Sequence, residues 1–374
     1  MRLAVVRQRY TPFGGAERFV DLALDALRAA GVETTLITRH WAGAWNGPVR
    51  RVAPFYLGRL WRDAGFSGAV RRKLAHERFD LVQSHERIPG CSIYRAGDGV
   101  HAAWLEQRGR LGGLRSRVAA RLAPYHRYLV RAEAAMFRHP ELRAVICNSR
   151  MVAEDIQRRF GVAPACLHVI YNAVDGGRFN PRLAAEHRQP VRQRLGAGKE
   201  CRVWLMVGSG FQRKGVAEGI RALAGLPEDQ LWIVGNDRQP GHYRKLAART
   251  GVAERVRFLG PQTDVRPFLA AADAFLQPSW YDPFPNACLE AFACGLPVVA
   301  STSTGTAELI RPGENGAVCR AGDVDDVLRQ LTLLRPQLGE PALRDACVAT
   351  VGELRVEKML GQFAALYDNL MASR

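Results

Sequence analysis

No stretch of this sequence approaches the ~20 consecutive apolar residues that a helix needs to span a bilayer. The opening Met1-Arg-Leu-Ala-Val-Val-Arg-Gln-Arg9 holds only four apolar residues between charges. It reads as a strand rather than a secretory leader, so a soluble chain is expected. Metal spacing is missing as well: Cys91, Cys147, Cys166, Cys201, Cys288, Cys294, Cys319 and Cys347 are scattered, with no Cys-x-x-Cys and no Cys/His cluster. Most stand in apolar contexts, where a free thiol behaves as a small core side chain. A reducing cytoplasm is expected, and a structural zinc is not. Acid is scarce: 36 Asp and Glu face 53 Lys and Arg, a formal net charge of +17. That balance suits an anionic partner, whether nucleic acid, an anionic membrane surface or a phosphorylated substrate.

What is present is enough apolar sequence, 47% of 374 residues, for more than one core, and two domains are expected. Leu3–Val6, Val32–Thr38, Phe79–Ser84 and Leu142–Asn148 read as strands. Ala16–Ala30, Arg71–Glu77 and Ser149–Phe160 read as helices between them. After a polar, proline-punctuated stretch from Asn180 to Pro190, a candidate linker, a second alternation begins. Its strands are Val203–Val207, Leu231–Gly235, Val256–Leu259, Ala274–Pro278 and Val298–Ser301, and residues 341–374 read as helices. Strand-helix-strand repetition predicts parallel sheets covered on both faces. Ligands then bind at the carboxyl ends of the strands, here suggesting a cleft between two domains.

The positive charge has one focus. From His101 to Arg131 the basic residues include Arg108, Arg110, Arg115, Arg117 and Arg121, against the single acid Glu106. Trp104, Leu105, Leu111, Leu114, Val118, Leu122 and Tyr125 are interleaved. This mixture fits a segment lying on an anionic lipid surface; a solvated basic face over a buried stripe is the other reading.

Three constellations carry chemistry. Asp282 and Glu290 stand eight residues apart in Trp280-Tyr-Asp-Pro-Phe-Pro-Asn-Ala-Cys-Leu-Glu290. With Asp282 as N-cap and Pro283 at the first helical position, both acids would project from one rigid element, beside the free amides of its first turn. Gly208-Ser-Gly-Phe-Gln-Arg-Lys-Gly215 follows a strand and precedes a helix. A glycine turn there presents amides to phosphates, and Arg213 and Lys214 add cations. Arg213 occupies the place of a dinucleotide fingerprint's third glycine, and the order Lys214-Gly215-Val216 is not that of an ATP phosphate loop. Gly14 and Gly15 repeat the strand-to-helix glycine arrangement near the N-terminus. Finally, Asp98 and His101 share a glycine-flanked loop after a strand and could bind an acceptor hydroxyl, with His85 and Glu86 as weaker candidates.

These residues resemble the family 4 retaining glycosyltransferases of the GT-B fold. The likeness rests on Phe13-Gly-Gly-Ala-Glu-Arg18, Val145-Ile-Cys-Asn-Ser-Arg150, Val169-Ile-Tyr-Asn-Ala-Val-Asp175, Gly208–Gly215 and Asp282–Val299. It departs from the family at Ala173, normally glycine, and at Asp282, normally glutamate. The resemblance implies two doubly wound Rossmann-like α/β domains facing across a cleft. Residues 1–180 would bind acceptor, 181–352 the nucleotide-sugar donor, and a helix in 353–374 would cross back. It implies Glu290 on the donor ribose, Arg213 and Lys214 on the diphosphate, Asp282 with Phe284, Pro285 and Asn286 at the sugar, Gly208 in the phosphate turn, and Gly14 and Gly15 at the phosphates. Asp98 and His101 would orient the acceptor.

A narrower likeness, through Tyr10–Gly15, Ile88–Asp98 and Val207–Gly215, is to lipopolysaccharide core enzymes that glucosylate an inner-core heptose. It implies UDP-glucose as donor substrate, no metal or other cofactor, an anionic glycolipid acceptor, and peripheral attachment to the cytoplasmic side of the inner membrane. Other donors (another UDP-hexose or N-acetylhexosamine, GDP-mannose, ADP-heptose) on a different acceptor form the alternative reading. A non-catalytic protein at a membrane surface or on nucleic acid is more remote, since no nucleic-acid-binding module is present.

Overall fold

The computed structural model describes residues 1–9, 31–41, 45 and 47–372, with the side chains at 115, 120 and 121 left aside. The helix expected over 16–30 and the glycines Gly14 and Gly15 lie outside the described residues. The chain forms two compact units, one of Met1–Tyr171 with Glu357–Arg374 and the other of Asn172–Val356.

In the first unit, β1 (Arg2–Val6), β2 (Glu33–Thr38), β3 (Val49–Arg51), β4 (Leu81–Ser84), β5 (Ile93–Arg95), β6 (Ala144–Cys147) and β7 (Leu167–Val169) build a sheet ordered β3-β2-β1-β4-β5-β6-β7. Every pairing is parallel. Leu3, Ala4, Val5 and Val6 are all buried, the continuous apolar run of a strand covered on both faces. Val6 pairs with Ile37 on one side and Ser84 on the other. The strand order reverses beside β1, so the switch point lies between β1 and β4. The helix Arg150–Phe160 starts where Ser149 accepts from the Val152 amide at 3.2 Å and ends at Gly161, φ +66°.

The second unit repeats the scheme. Its strands are β8 (Val203–Val207), β9 (Gln230–Val234), β10 (Val256–Gly260), β11 (Ala274–Gln277), β12 (Val298–Ser301) and β13 (Gly316–Cys319). They are ordered β10-β9-β8-β11-β12-β13, again all parallel. The switch point lies between β8 and β11. Trp204, Leu276, Val299, Ile220, Leu331 and Leu343 share one core with helices packed on the sheet.

Three elements differ from the sequence expectation. The Asn180–Pro190 stretch is not an open linker, because Leu183–Leu195 is a helix closed by Gly196 at φ +69°. Tertiary contacts override its Pro190. Arg188 and Arg192 both reach the buried Asp273, at 2.5 and 3.0 Å, anchoring the helix beside β8 and β11. The helix expected over 71–77 runs from Gly58 to His76. The helix after β8 is broken into Phe211–Lys214 and Val216–Ala222. The break is Gly215, whose φ is +72° and where a Cβ would collide with the Pro278 carbonyl.

The terminal helix Val356–Ala372 packs within the first unit. Tyr367 donates to Gln83 Oε1 at 2.6 Å, Arg95 lies over the Phe363 ring, and Arg143 donates to the Leu370 carbonyl. Among the described residues no helix is long and apolar enough to cross a membrane. Tyr367→Phe should lower stability by about 1–3 kcal/mol, because it strands the buried Gln83 acceptor. Urea denaturation checks this, with an unchanged midpoint as the contrary result.

Candidate active site

In the second unit the candidate residues converge where β8 and β11 part. Residues 278–285 leave β11, and none of them is helical. Asp282 and Phe284 both precede prolines, which disfavours the helical region for them. Helix Asn286–Ala293 starts only after Pro285, so Asp282 is not its N-cap as the sequence suggested. Asp282 instead bridges to the segment after β12: its amide donates to Ser303 O at 3.0 Å, and Gly305 donates to its carbonyl at 2.9 Å.

The side chain of Asp282 is buried. Its Oδ2 accepts from Lys214 Nζ at 2.7 Å, Arg213 Nη1 at 2.8 Å and Gln277 Nε2 at 3.4 Å. Burial pushes this carboxyl up, but Lys214 and Arg213 together prevail and hold it below the usual carboxylate range. Lys214 is buried with it, whereas about a third of the Arg213 side chain stays exposed. One carboxylate thus fixes two cations at a strand end.

The glycine turn is shaped to admit them. Gly208 has φ +147°, and a Cβ there would lie 2.6 Å from Lys214 Cε. The amides of Gly208 and Gly210 donate to the Val234 and Asn236 carbonyls, and that of Phe211 to Asp237 Oδ2. Those three amides, expected to meet phosphate, are occupied within the protein. Trp280 ties the two loops together: its amide donates to Arg213 O at 2.9 Å and its indole to buried Glu218 at 3.0 Å. Burial keeps the Glu218 carboxyl above its ordinary range, although Trp280 opposes the shift.

Glu290 lies on helix Asn286–Ala293. Ahead of it, Asn172 Nδ2 donates to Asn286 Oδ1 at 2.8 Å and approaches Phe284 O at 3.5 Å. Sequence reasoning did not single out Gln277, Glu218 or Asn172 as site residues. The first two carry no local signal, and Asn172 stood only inside a quoted motif. Cys288, on the same helix, is fully buried, and burial pushes its thiol up to about 12. It is core.

In the first unit Asp98 is exposed in the turn after β5. The flanking carbonyls of Gly97 and Gly99 accept from Asn148 Nδ2 at 3.1 Å and Arg87 Nη2 at 3.1 Å. Helix His101–Leu111 has no local side-chain cap. Its first amides are satisfied by Glu133 from helix Pro124–Phe137, at 2.8 Å for His101 and 3.1 Å for Ala102. Glu133 is wholly buried and also takes Arg87 Nε at 2.9 Å. One acid therefore anchors the loop and the helix it opens. The His101 ring meets His126, Nε2 to Nδ1 at 3.0 Å. Burial first, then Arg87 and His126, push the His101 imidazole down to about 3, so it is neutral at ordinary pH and able to accept a proton or a hydrogen bond. Glu86 accepts from the Gln8 amide at 2.9 Å, and burial raises its carboxyl despite Arg7. His85 lies 3.2 Å from Gln83 Nε2, its imidazole lowered mainly by burial.

The basic segment is three helices, His101–Leu111, Gly113–Leu122 and Pro124–Phe137. Arg110 and Arg117 are exposed, while Trp104 and Arg108 are half-buried; the Arg115 and Arg121 side chains lie outside those described. Among the described residues no cluster of three or more His, Cys, Asp or Glu is placed to hold a metal ion.

Residues 201–335 match the family model for glycosyl transferases group 1, and residues 13–178 that for glycosyltransferase family 4. The chain is 30% identical over 372 residues to the lipopolysaccharide core biosynthesis glycosyltransferase LpsE of Rhizobium meliloti (strain 1021), covering 96% of each. It is 27% identical to the lipopolysaccharide glucosyltransferase WaaG of Escherichia coli (strain K12), covering 92% of each. The crystal structure of WaaG superposes with a TM-score of 0.81 at 24% identity, over 97% of this chain and 99% of that one. Anabaena Alr3699/HepE in complex with UDP and glucose matches at a TM-score of 0.72 and 21% identity, over 99% of this chain and all of that one. The fold is GT-B.

Two predictions follow from the buried acids and imidazoles. Asp282→Ala should cost about 3–5 kcal/mol of stability, because it strands a buried lysine. The milder Asp282→Asn should keep the fold and weaken nucleotide binding, measured by titration with UDP. His101 binds no proton in the folded state until pH nears about 3, against 6.5 ordinarily. Below about 6.5 the unfolded chain therefore holds more protons, and stability falls as pH drops through that window. Denaturant midpoints across this range should show a shallower acid limb for His101→Gln; an unchanged limb would refute the assignment.

Proposed function

The chain belongs to the glycosyltransferases of group 1 and family 4, and on that premise we propose that it moves glucose from UDP-glucose, with retained configuration, onto a heptose of the lipopolysaccharide inner core. The observation that carries the reading is the pair of cations held on Asp282 at the carboxyl ends of β8 and β11. A sugar donor leaves as a nucleoside diphosphate, and fixed cations at the departing charge are typically worth a few kcal/mol of barrier each. Glucose and a lipopolysaccharide acceptor are supported by the names of WaaG and LpsE, and uridine by the HepE complex.

In the proposed reaction the acceptor hydroxyl oxygen bonds the anomeric carbon on the face from which the diphosphate departs. The glycosidic bond to diphosphate breaks, and the hydroxyl proton passes to the leaving phosphate. Arg213 and Lys214 neutralise the diphosphate, so no metal is required. Glu290 holds the ribose, and Phe284, Pro285 and Asn286 line the sugar end. Asp98 and neutral His101 orient the acceptor in the first unit. The basic segment from His101 to Arg131 rests on an anionic membrane surface, where a peripheral cytoplasmic enzyme meets its glycolipid.

A thermal-shift panel of UDP, UDP-glucose, UDP-galactose, UDP-N-acetylglucosamine, GDP-mannose and ADP-heptose tests the donor. A ligand at about 100 times its dissociation constant adds roughly 2.7 kcal/mol. UDP and UDP-glucose should raise the melting temperature, UDP-glucose most, and Glu290→Ala should abolish the rise. Stabilisation by a purine donor alone would replace the substrate, and glucose transfer undiminished in Glu290→Ala would overturn the site.

A further inference from the structure

Among the described residues all but one of the large exposed apolar side chains, Leu333, fall in two short stretches of the first unit. One lies on the helix Gly113–Leu122, where Leu114, Val118 and Leu122 recur every fourth residue along one face. That face belongs to the basic segment already assigned to a membrane. The other lies outside it, at the start of helix Gly58–His76. Phe55 is 73% exposed, Leu57 70% and Trp61 51%, and the Phe55 and Trp61 rings meet edge-on at 5.8 Å. A single exposed aromatic would need no explanation. A continuous group of them on a protein with a fully formed core marks a contact surface.

The two stretches adjoin. Tyr125 donates to Asp63 at 2.8 Å, and Arg59 lies 4.9 Å over the Tyr125 ring. Tyr125 follows Leu122 by three residues, a reach of at most about 11 Å. Arg59 and Trp61 therefore stand beside the foot of the helix that carries Leu114, Val118 and Leu122.

We propose that Phe55, Leu57 and Trp61 form a second lipid anchor, so that the chain docks on an anionic bilayer through two adjoining apolar elements rather than through the basic segment alone. The inference rests on the membrane reading above and extends it to residues 55–61. Charge selects this occupant over a protein partner. Residues 107–131 contain no Asp or Glu, and the only acid from Phe55 to Asp63 is Asp63 itself. Asp63 is held by Arg62 at 2.7 Å and by Tyr125. What remains on this surface is cationic, with Arg59, Arg110, Arg117 and Arg127 all exposed. Arg39 stacks on Tyr56 at 4.3 Å. Aromatic rings with arginines at the same level are the composition that settles at a headgroup boundary, rings buried and guanidinium groups wet.

The test uses the full chain and vesicles of phosphatidylcholine with and without phosphatidylglycerol, read by co-sedimentation. Wild type should bind the anionic vesicles. Phe55→Ser with Trp61→Ser should lower that binding at least ~10-fold, and Leu114→Ser with Leu122→Ser should lower it independently. UDP-induced stabilisation of both variants serves as the control for folding. Wild-type-like binding by the Phe55/Trp61 variant, with binding lost in the Leu114/Leu122 variant, overturns the second anchor and leaves the basic segment standing. Absence of binding by wild type overturns both. A vesicle-free dimer that the Phe55/Trp61 substitutions dissolve would make the patch an interface between copies, and would also overturn the proposal.

Discussion

One buried carboxylate governs the geometry where β8 and β11 part. Asp282 holds Lys214 and Arg213 within 2.8 Å, and neither a buried lysine nor a buried aspartate is tolerable without the other. Much of the surrounding chain follows from that requirement. Gly208 lacks a Cβ so that Lys214 can pass, and Gly215 lacks one so that the backbone can approach Pro278. The prolines on either side of Phe284 keep the loop out of the helix, so that Asp282 reaches back to the cations. Trp280 fastens the same loop to Glu218 and to the Arg213 carbonyl. The cations are thereby fixed before any substrate arrives, which is the condition for charge stabilisation without reorganisation.

The first unit solves a similar problem with Glu133. A helix that opens without its own cap borrows an acid from a neighbouring helix, and that acid also fixes Arg87, which steadies the turn bearing Asp98. In both units a loop at the carboxyl end of a parallel sheet is rigid because a buried acid from elsewhere in the chain holds it. Asp98 and Arg213, on the loops so held, are left partly in solvent.

The strands were the most legible part of the sequence. Leu3–Val6 and Val203–Met206 are buried on both faces, and such strands announce themselves as apolar runs. The Ser149 cap and Gly161 stop were readable for the same local reason. Asp282, Glu290, Arg213 and Lys214 could be picked out, but their relation could not. The eight-residue spacing suggested one helix, whereas the pairing of Asp282 with Lys214 spans 68 residues. Glu133, Glu218 and Gln277 were invisible, since each acts only through a partner brought by the fold. The polar composition around Pro190 hid a helix that exists because Asp273 receives its arginines. Nothing in the sequence around Phe55 and Trp61 marks them as exposed; only the fold does.

The terminal helix has a consequence for how the protein is made. Gln83 and Arg95 sit within the sheet of the first unit, yet their partners Tyr367 and Phe363 come after the whole of the second unit in the sequence. The second unit, a continuous run from Asn172 to Val356, is fully synthesised before them. The sheet of the first unit is therefore completed only after the second unit has been made. Until then it carries a polar seam that the helix Val356–Ala372 has yet to close.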